Sequence, residues 1–434
     1  MNNSSGHLKW SISLCLRGGL TPKEVLHTVK RRNVSLPTAL PQWELRHMVH
    51  KASGKYLPPS TSFPMWTISG IARKFAKLYS SHLEPPIHFF YFSFLACLGS
   101  LLANRLTLAS EITLQPRFYI LILGESADDR KSTAGQKSTD FFTEYFPQIF
   151  SVCYGVGSAE GLQKKIKRTP HQSLLLYYDE FKAFTSKCNV EASVLLPCVN
   201  TLFESNDYET QTKKGSIELR DAYLSIVGCS TIPTYENMWK PQFIDIGLCN
   251  RLFLVPGTAQ RRFAIPRNIP QSEKHRIKNQ LDQIIGSVGR GMQMPILPEA
   301  RRIFERWYMN LERSVHAKRL DTYALRLMLL LAVNDGKTQV DHETVRKVLD
   351  IMDWQLAVRK QYDPIDADNE IAKMEEKIRR SLLQGPLKDR TLKRKTNAHR
   401  TGIWKFRKAI ENLQSEGEIK FKTKGKSKIW RLSS

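Results

Sequence analysis

Acidic residues are in short supply. Only 41 Asp and Glu face 66 Lys and Arg in 434 residues, a formal net charge of +25. A surplus of this size argues against acidic partners and points to a polyanion, nucleic acid first and an acidic membrane surface second. Cysteine is sparse: seven residues, at 15, 97, 153, 188, 198, 229 and 249, with no C-x-x-C pair and no Cys/His cluster at zinc spacing. That excludes a disulfide scaffold and a structural zinc site, and predicts reduced, mostly buried thiols in a cytoplasmic protein. The opening residues, MNNSSGHLKW, lack a secretory signal design. Long apolar runs are missing but for Ile87–Ala103, 17 residues that include His88 and have no basic flank at their start. A span needs about 20 apolar residues, so a buried helix is expected and no membrane partner. There is no internal repeat.

The most informative stretch is YILILGESADDRKST, Tyr119–Thr133. An apolar, β-favouring run ends at Gly124; a short loop follows, and Lys131-Ser132-Thr133 open a helical pattern. This is the layout of a nucleotide phosphate-binding loop. Backbone N–H groups of Gly124, Glu125, Ser126 and Arg130 and a helix N-terminus face the phosphates, Lys131 adds positive charge, and the hydroxyl of Ser132, backed by Thr133, is placed for Mg²⁺. The usual Gly before the Lys is missing: Arg130 stands there, and Gly124 lies one position too far back. Asp128 and Asp129 also put two acids into a loop meant for an anion, which is unfavourable unless they face away or help to hold the metal.

The second signal is LLLYYDEF, Leu174–Phe181, with Asp179 48 positions beyond Lys131. A buried strand running into an acidic pair is the Walker B requirement: Asp179 holds the metal's water shell, and Glu180 orients the attacking water. Ala222–Gly228 (AYLSIVG) is another buried strand and Asn250–Val255 a third; the segment Tyr223–Thr231 (YLSIVGCST) ends in polar Ser230 and Thr231. In ring-forming ATPases a strand beside the acidic one ends in a polar residue that helps to fix that water. In GLCNRLFLV, Arg251 is either a finger reaching a neighbouring subunit's nucleotide or a structural ion pair. Arg326, in TYALRLMLLLAV, is the analogous lid residue, with a structural pairing as the alternative.

Apolar strands separated by helices over 116–262 predict an α/β class with a parallel sheet flanked by helices. Residues 1–58 read as a small helical domain, 59–115 as a helical linker and 263–365 as a helical lid. The tail, 369–434, carries 19 Lys and Arg against 7 Asp and Glu. Three helices followed by a basic hairpin predict a winged helix there, either a DNA-binding one, with Arg400, Lys405 and Lys408 at phosphates or the major groove and Lys422, Lys424 and Lys426 on the wing, or a protein-docking module.

Residues 60–360 resemble a helicase-like P-loop ATPase family of phages, plasmids and integrative elements. The resemblance rests on Arg130–Thr133 in place of Gly-Lys-Ser/Thr, on the D-E-F of Asp179–Phe181 and on Asn250–Leu254. Members are similar to ring helicases of the minichromosome-maintenance kind, and of the AAA+/RecA type of sheet. Residues 14–56, with Gly18-Gly19-Leu20 and the helices around Glu24 and Glu44, resemble the helical domain that closes many mobile-element primases. The resemblance implies an ATP- and Mg²⁺-dependent DNA helicase or translocase. Lys131, Glu180 and Arg251 would be catalytic, and Ser132 and Asp179 would hold the metal. It implies single-stranded or forked DNA as partner, a homo-oligomeric ring of six, and a separate primase or polymerase. The alternative is a replication initiator or helicase loader that uses ATP as a switch without unwinding.

Overall fold

The computed structural model describes residues 3–35, 40–54, 60–125, 128–212, 215–239, 241–365, 369–383, 385–424 and 427–433. They form two compact units, Met1–Val358 and Arg359–Ser434.

The first unit is mixed α/β around a five-stranded, wholly parallel sheet. Its strands are Val152–Cys153, Ser173–Tyr178, Tyr223–Thr231, Tyr119–Gly124 and Phe253–Pro256, in that spatial order. Both Tyr119–Gly124 and Ser173–Tyr178 are buried at every position, as strands covered on both faces must be. Ile87–Leu102 is the helix expected of the long apolar run. Fourteen of its residues are buried, and it packs on the sheet and on the helix Gly70–His82. Among the described residues no helix is long and apolar enough to cross a membrane.

The helices expected beyond the sheet are present at Gln271–Ser287, Pro298–Met309, Leu320–Asn334 and His342–Tyr362. The apolar stretch 106–114 keeps only Leu106–Leu108 as strand, paired in parallel with Met292–Met294, a partner far along the chain. A hairpin, Tyr208–Thr212 with Gly215–Leu219, precedes the third sheet strand.

Near the N-terminus, helices Asn3–Arg17, Pro22–Val34 and Gln42–Ser53 share a small core of Leu8, Ile12, Val25, Val29, Leu45 and Val49. Thr21 and Glu24 close a reciprocal capping box at the second helix. This bundle is tied to the helix His342–Tyr362. Arg46 forms a two-pronged pair with Asp353, and the Gln42 amide donates to Asp350 Oδ1 at 2.7 Å.

The second unit has helices Glu370–Leu383, Asp389–Lys395, Ala398–Thr401 and Ile403–Ser415. Its three-stranded antiparallel sheet runs in the order Leu387–Lys388, Ser427–Leu432, Ile419–Lys424. Phe406, Ile410 and Leu413 face its core with Met374, Ile378 and Trp430. The strand Leu387–Lys388 is too short to leave a pattern in the sequence.

Candidate nucleotide site and basic C-terminal surface

In a parallel sheet all strand C-termini leave the same edge. That edge carries the loop after Tyr119–Gly124, the acidic pair after Ser173–Tyr178 and the end of Tyr223–Thr231. The last of these lies between the other two, with Gly124 opposite Thr231 and Tyr178 opposite Gly228. One strand lies between the strand that leads into the Lys131 loop and the strand that leads into the acidic pair, a lateral spacing of about 9–10 Å.

Lys131 begins the helix Lys131–Tyr145 as expected, and Ser132 in its first turn is exposed. Arg130 adopts the left-handed conformation, φ 49° and ψ 35°. The backbone shape that a glycine provides cheaply is therefore present without the glycine. Its side chain is anchored elsewhere, Nε donating to Glu84 Oε2 at 3.3 Å.

The two loop acids separate cleanly. Asp129 is 1% exposed and faces inward. Its Oδ2 accepts from the Glu125 amide at 2.5 Å and its Oδ1 from the Ala259 amide at 2.6 Å, so it clamps the loop to the segment leaving the edge strand. Gly124 is what permits this: a Cβ there would sit 2.7 Å from Asp129 Oδ2. Asp128 points outward and pairs with Arg261 at 2.9 Å. Lys131 is nearly buried, its Nζ donating to the Glu125 carbonyl at 2.6 Å within the loop.

The acidic pair is held from behind. The Phe181 amide donates to the Cys229 carbonyl at 2.8 Å, and the buried Phe181 ring lies against Gly228, where a Cβ would come within 2.7 Å. The third letter of D-E-F is thus a packing wedge that fixes the turn. Tyr177, two residues before Asp179, donates its hydroxyl to the Ser132 carbonyl at 3.0 Å and fills the space left by Gly135. These contacts tie the acidic strand to the helix Lys131–Tyr145. Asp179 and Glu180 remain exposed, with Asp179 Oδ1 accepting from the Glu180 amide.

Ser230 and Thr231 find partners within their own segment. Ser230 is buried and donates to the Thr231 carbonyl, while the Thr231 hydroxyl caps the following helix by accepting from the Thr234 amide at 3.2 Å.

The two arginines read as nucleotide contacts lie elsewhere. Arg251 precedes the edge strand at its N-terminal end, the opposite edge from Gly124. It donates to the carbonyls of Ile246 and Gly247, both at 3.1 Å, and pairs loosely with Glu204. Arg326 is fully buried, bonded to the carbonyls of Arg117 and Phe203 and stacked over the Phe203 ring. Burial lowers its pKa to about 10. It is a core residue and does not reach the phosphate loop of its own chain, because helix Leu320–Asn334 turns this face into the core.

Of the loop residues, Ser126 lies outside the described residues, and so does Lys426 of the basic hairpin. Among the described residues no group of three or more His, Cys, Asp or Glu forms a metal cage. Mg²⁺ does not require one, since it is ordinarily held by one or two carboxylates, water and substrate phosphates. Ser132 and Asp179 fit that donor set.

In the second unit Arg400, Lys408 and Lys422 are exposed and Lys405 is partly so, while Lys424 ends the strand Ile419–Lys424. Lys405 and Lys408 are already paired, with Glu370 at 3.8 Å and Glu411 at 3.1 Å. A cleft of about 730 Å³ gathers a different set: Lys388, Arg390, Lys393, Arg407 and Lys428 above Trp430. Its one acid, Asp389, is spent on Lys393 and on the Trp430 indole. These cations come from two helices and two strands, so only the fold brings them together. Likewise nothing in the spacing announced Glu84 or Arg261, although the Arg261-Arg262 doublet just past an apolar strand was a visible cue.

Comparison with models of known protein families finds no match, and none of the curated proteins matches the chain.

Proposed function

We propose that this chain is an ATP-driven DNA motor serving the replication of a mobile element. Its first unit would have a P-loop ATPase core and its second a winged-helix DNA-binding module. The observation that carries the reading is the shared sheet edge. A Lys-bearing loop at a helix N-terminus and an exposed Asp-Glu pair stand one strand apart, tied together through Tyr177 and Phe181.

ATP occupies the loop from Gly124 to Thr133. The loop amides and Lys131 neutralise phosphate charge, and Glu180 orients water for in-line attack on the terminal phosphate. Bound Mg²⁺, held by Ser132 and Asp179, would offset the charge on the phosphate oxygens. Arg251 stands at the far edge of its own sheet, so it can meet a nucleotide only in an adjacent protomer. The reading therefore includes a ring in which Glu204 and the Ile246 and Gly247 carbonyls give up Arg251 when a neighbour docks. The +25 surplus and the basic second unit supply sequence-independent attraction to DNA.

The test is ATP hydrolysis with and without single-stranded DNA, together with displacement of a strand from a forked duplex. Stimulated hydrolysis and displacement, both absent in Lys131→Ala, are expected. One observation favours a second reading, the loader that switches without unwinding. Lys131 is engaged inside the loop by the Glu125 carbonyl, so nucleotide entry must rearrange the loop. DNA and ATP binding with no strand displacement would select the loader.

A further inference from the structure

The segment that leaves the edge strand runs beside the phosphate loop and is stitched to it. The Gly257 amide donates to the Leu123 carbonyl at 3.1 Å, and the Ala259 amide to Asp129 at 2.6 Å. Two residues on, the chain presents Arg261 and Arg262. Their fates differ. Arg262 is immobilised: its guanidinium donates to the carbonyls of Ser80 and Leu83, and its amide to Glu84. Arg130, the other arginine at the mouth, is likewise turned to Glu84. Arg261 alone of these three reaches out over the loop, its side chain 87% exposed and paired with Asp128, itself 62% exposed.

We infer that Arg261 binds the phosphates of the nucleotide held by its own chain, and that Asp128 keeps it at the loop until the anion arrives. The inference rests on the nucleotide-site reading above and adds to it a ligand from outside the loop motif. Three physical points converge on it. An ion pair this exposed is weak, so a polyphosphate of several negative charges outcompetes one carboxylate for the guanidinium. The planar fork of arginine matches phosphate oxygens in two-pronged fashion. The Asp129 clamp fixes the backbone two residues away, so the side chain swings from an anchored base. The pairing also explains how an acid is tolerated at position 128: Arg261 neutralises it while the site is empty.

The experiment is ATP binding by the full-length chain, measured by calorimetry for wild type, Lys131→Ala, Arg261→Ala, Arg261→Lys and Asp128→Asn. Arg261→Ala is expected to bind at least tenfold more weakly, Arg261→Lys in between, and Asp128→Asn at least as tightly as wild type, since the resting competitor is gone. Equal weakening in Arg261→Ala and Asp128→Asn would mark the pair as a mere brace and overturn the inference. So would an Arg261→Ala protein within twofold of wild type while Lys131→Ala has lost binding. If wild type and Lys131→Ala bind alike, the nucleotide-site reading itself falls, and the inference goes with it.

Discussion

The two edges of the central sheet use the same residue types to opposite ends. At the N-terminal edge Arg117 and Arg326 are completely buried. Arg117 donates to the Leu202, Ser205 and Ala222 carbonyls and to the side chains of Gln115 and Asn206, and Arg326 donates to main-chain carbonyls nearby. Burial and their mutual repulsion lower the Arg117 pKa to about 9. At the C-terminal edge Arg261, Asp128, Asp179 and Glu180 lie exposed, with weak partners or none that bury them. A guanidinium buried among main-chain carbonyls lies out of a ligand's reach, and removing it leaves those carbonyls unpaired. An exposed one beside a displaceable acid has everything to gain from a phosphate. The contrast teaches that an arginine's partners, more than its place in a motif, decide whether it can serve a substrate.

The largest expected effect lies at the exposed edge. Glu180→Gln should lower the ATP turnover rate by about 10²–10⁴-fold, the usual worth of a general base, while ATP still binds. A variant that hydrolyses ATP at the wild-type rate would remove Glu180 from the chemistry. At the buried edge the expected loss is of stability. Arg326→Ala leaves a void over Phe203 and two orphaned carbonyls, costing about 2–4 kcal/mol. Its melting temperature should drop by several degrees, with ATP affinity unchanged in the folded protein. Lost affinity with an unchanged melting temperature would reverse the contrast between the edges.

A parallel contrast holds within the second unit, between the cleft cations and those paired with glutamates. Arg390→Ala with Arg407→Ala should flatten the log–log salt dependence of DNA binding by about 0.9 for each phosphate left without its cation. The pair Lys405→Ala and Lys408→Ala should change it less, because Glu370 and Glu411 already neutralise those lysines. Equal effects would erase the distinction.

The smallest effect concerns Asp350, where the N-terminal bundle meets the helix His342–Tyr362. Burial, aided by like charge on Asp353 and opposed by hydrogen bonds from the Gln42 amide and Trp66, raises its pKa to about 7. Between the unfolded value of about 3.9 and that figure the folded state holds the extra proton. Its contribution to stability is therefore full below the unfolded value and is lost as pH rises through about 7. Asp350→Asn cannot titrate, so its melting temperature should run a few degrees flatter over that window. A profile parallel to wild type would show that Asp350 does not carry the dependence.

Local patterns made much of this legible. Continuous apolar runs placed the strands ending at Gly124, Tyr178 and Thr231 to within three residues, because buried parallel strands need apolar side chains on both faces. The short strands Val152–Cys153, Met292–Met294 and Leu387–Lys388 were not legible, since two or three residues carry no period and their pairing partners lie far away. At the site, Lys131 and Asp179-Glu180 were readable as types at a spacing. The inward turn of Asp129 and the outward reach of Arg261 were not, because each depends on a chain segment about 130 residues away.

Sequence alone thus determined the α/β class, the basic excess and the two chemical signatures, all consequences of composition and short-range periodicity. Only the tertiary structure decided that both signatures leave one sheet edge with a single strand between them, and that Arg326 is sealed in the core while Arg261 stands at the loop. Strand order and side-chain partnership arise from contacts between residues distant in the chain, and no local pattern encodes them.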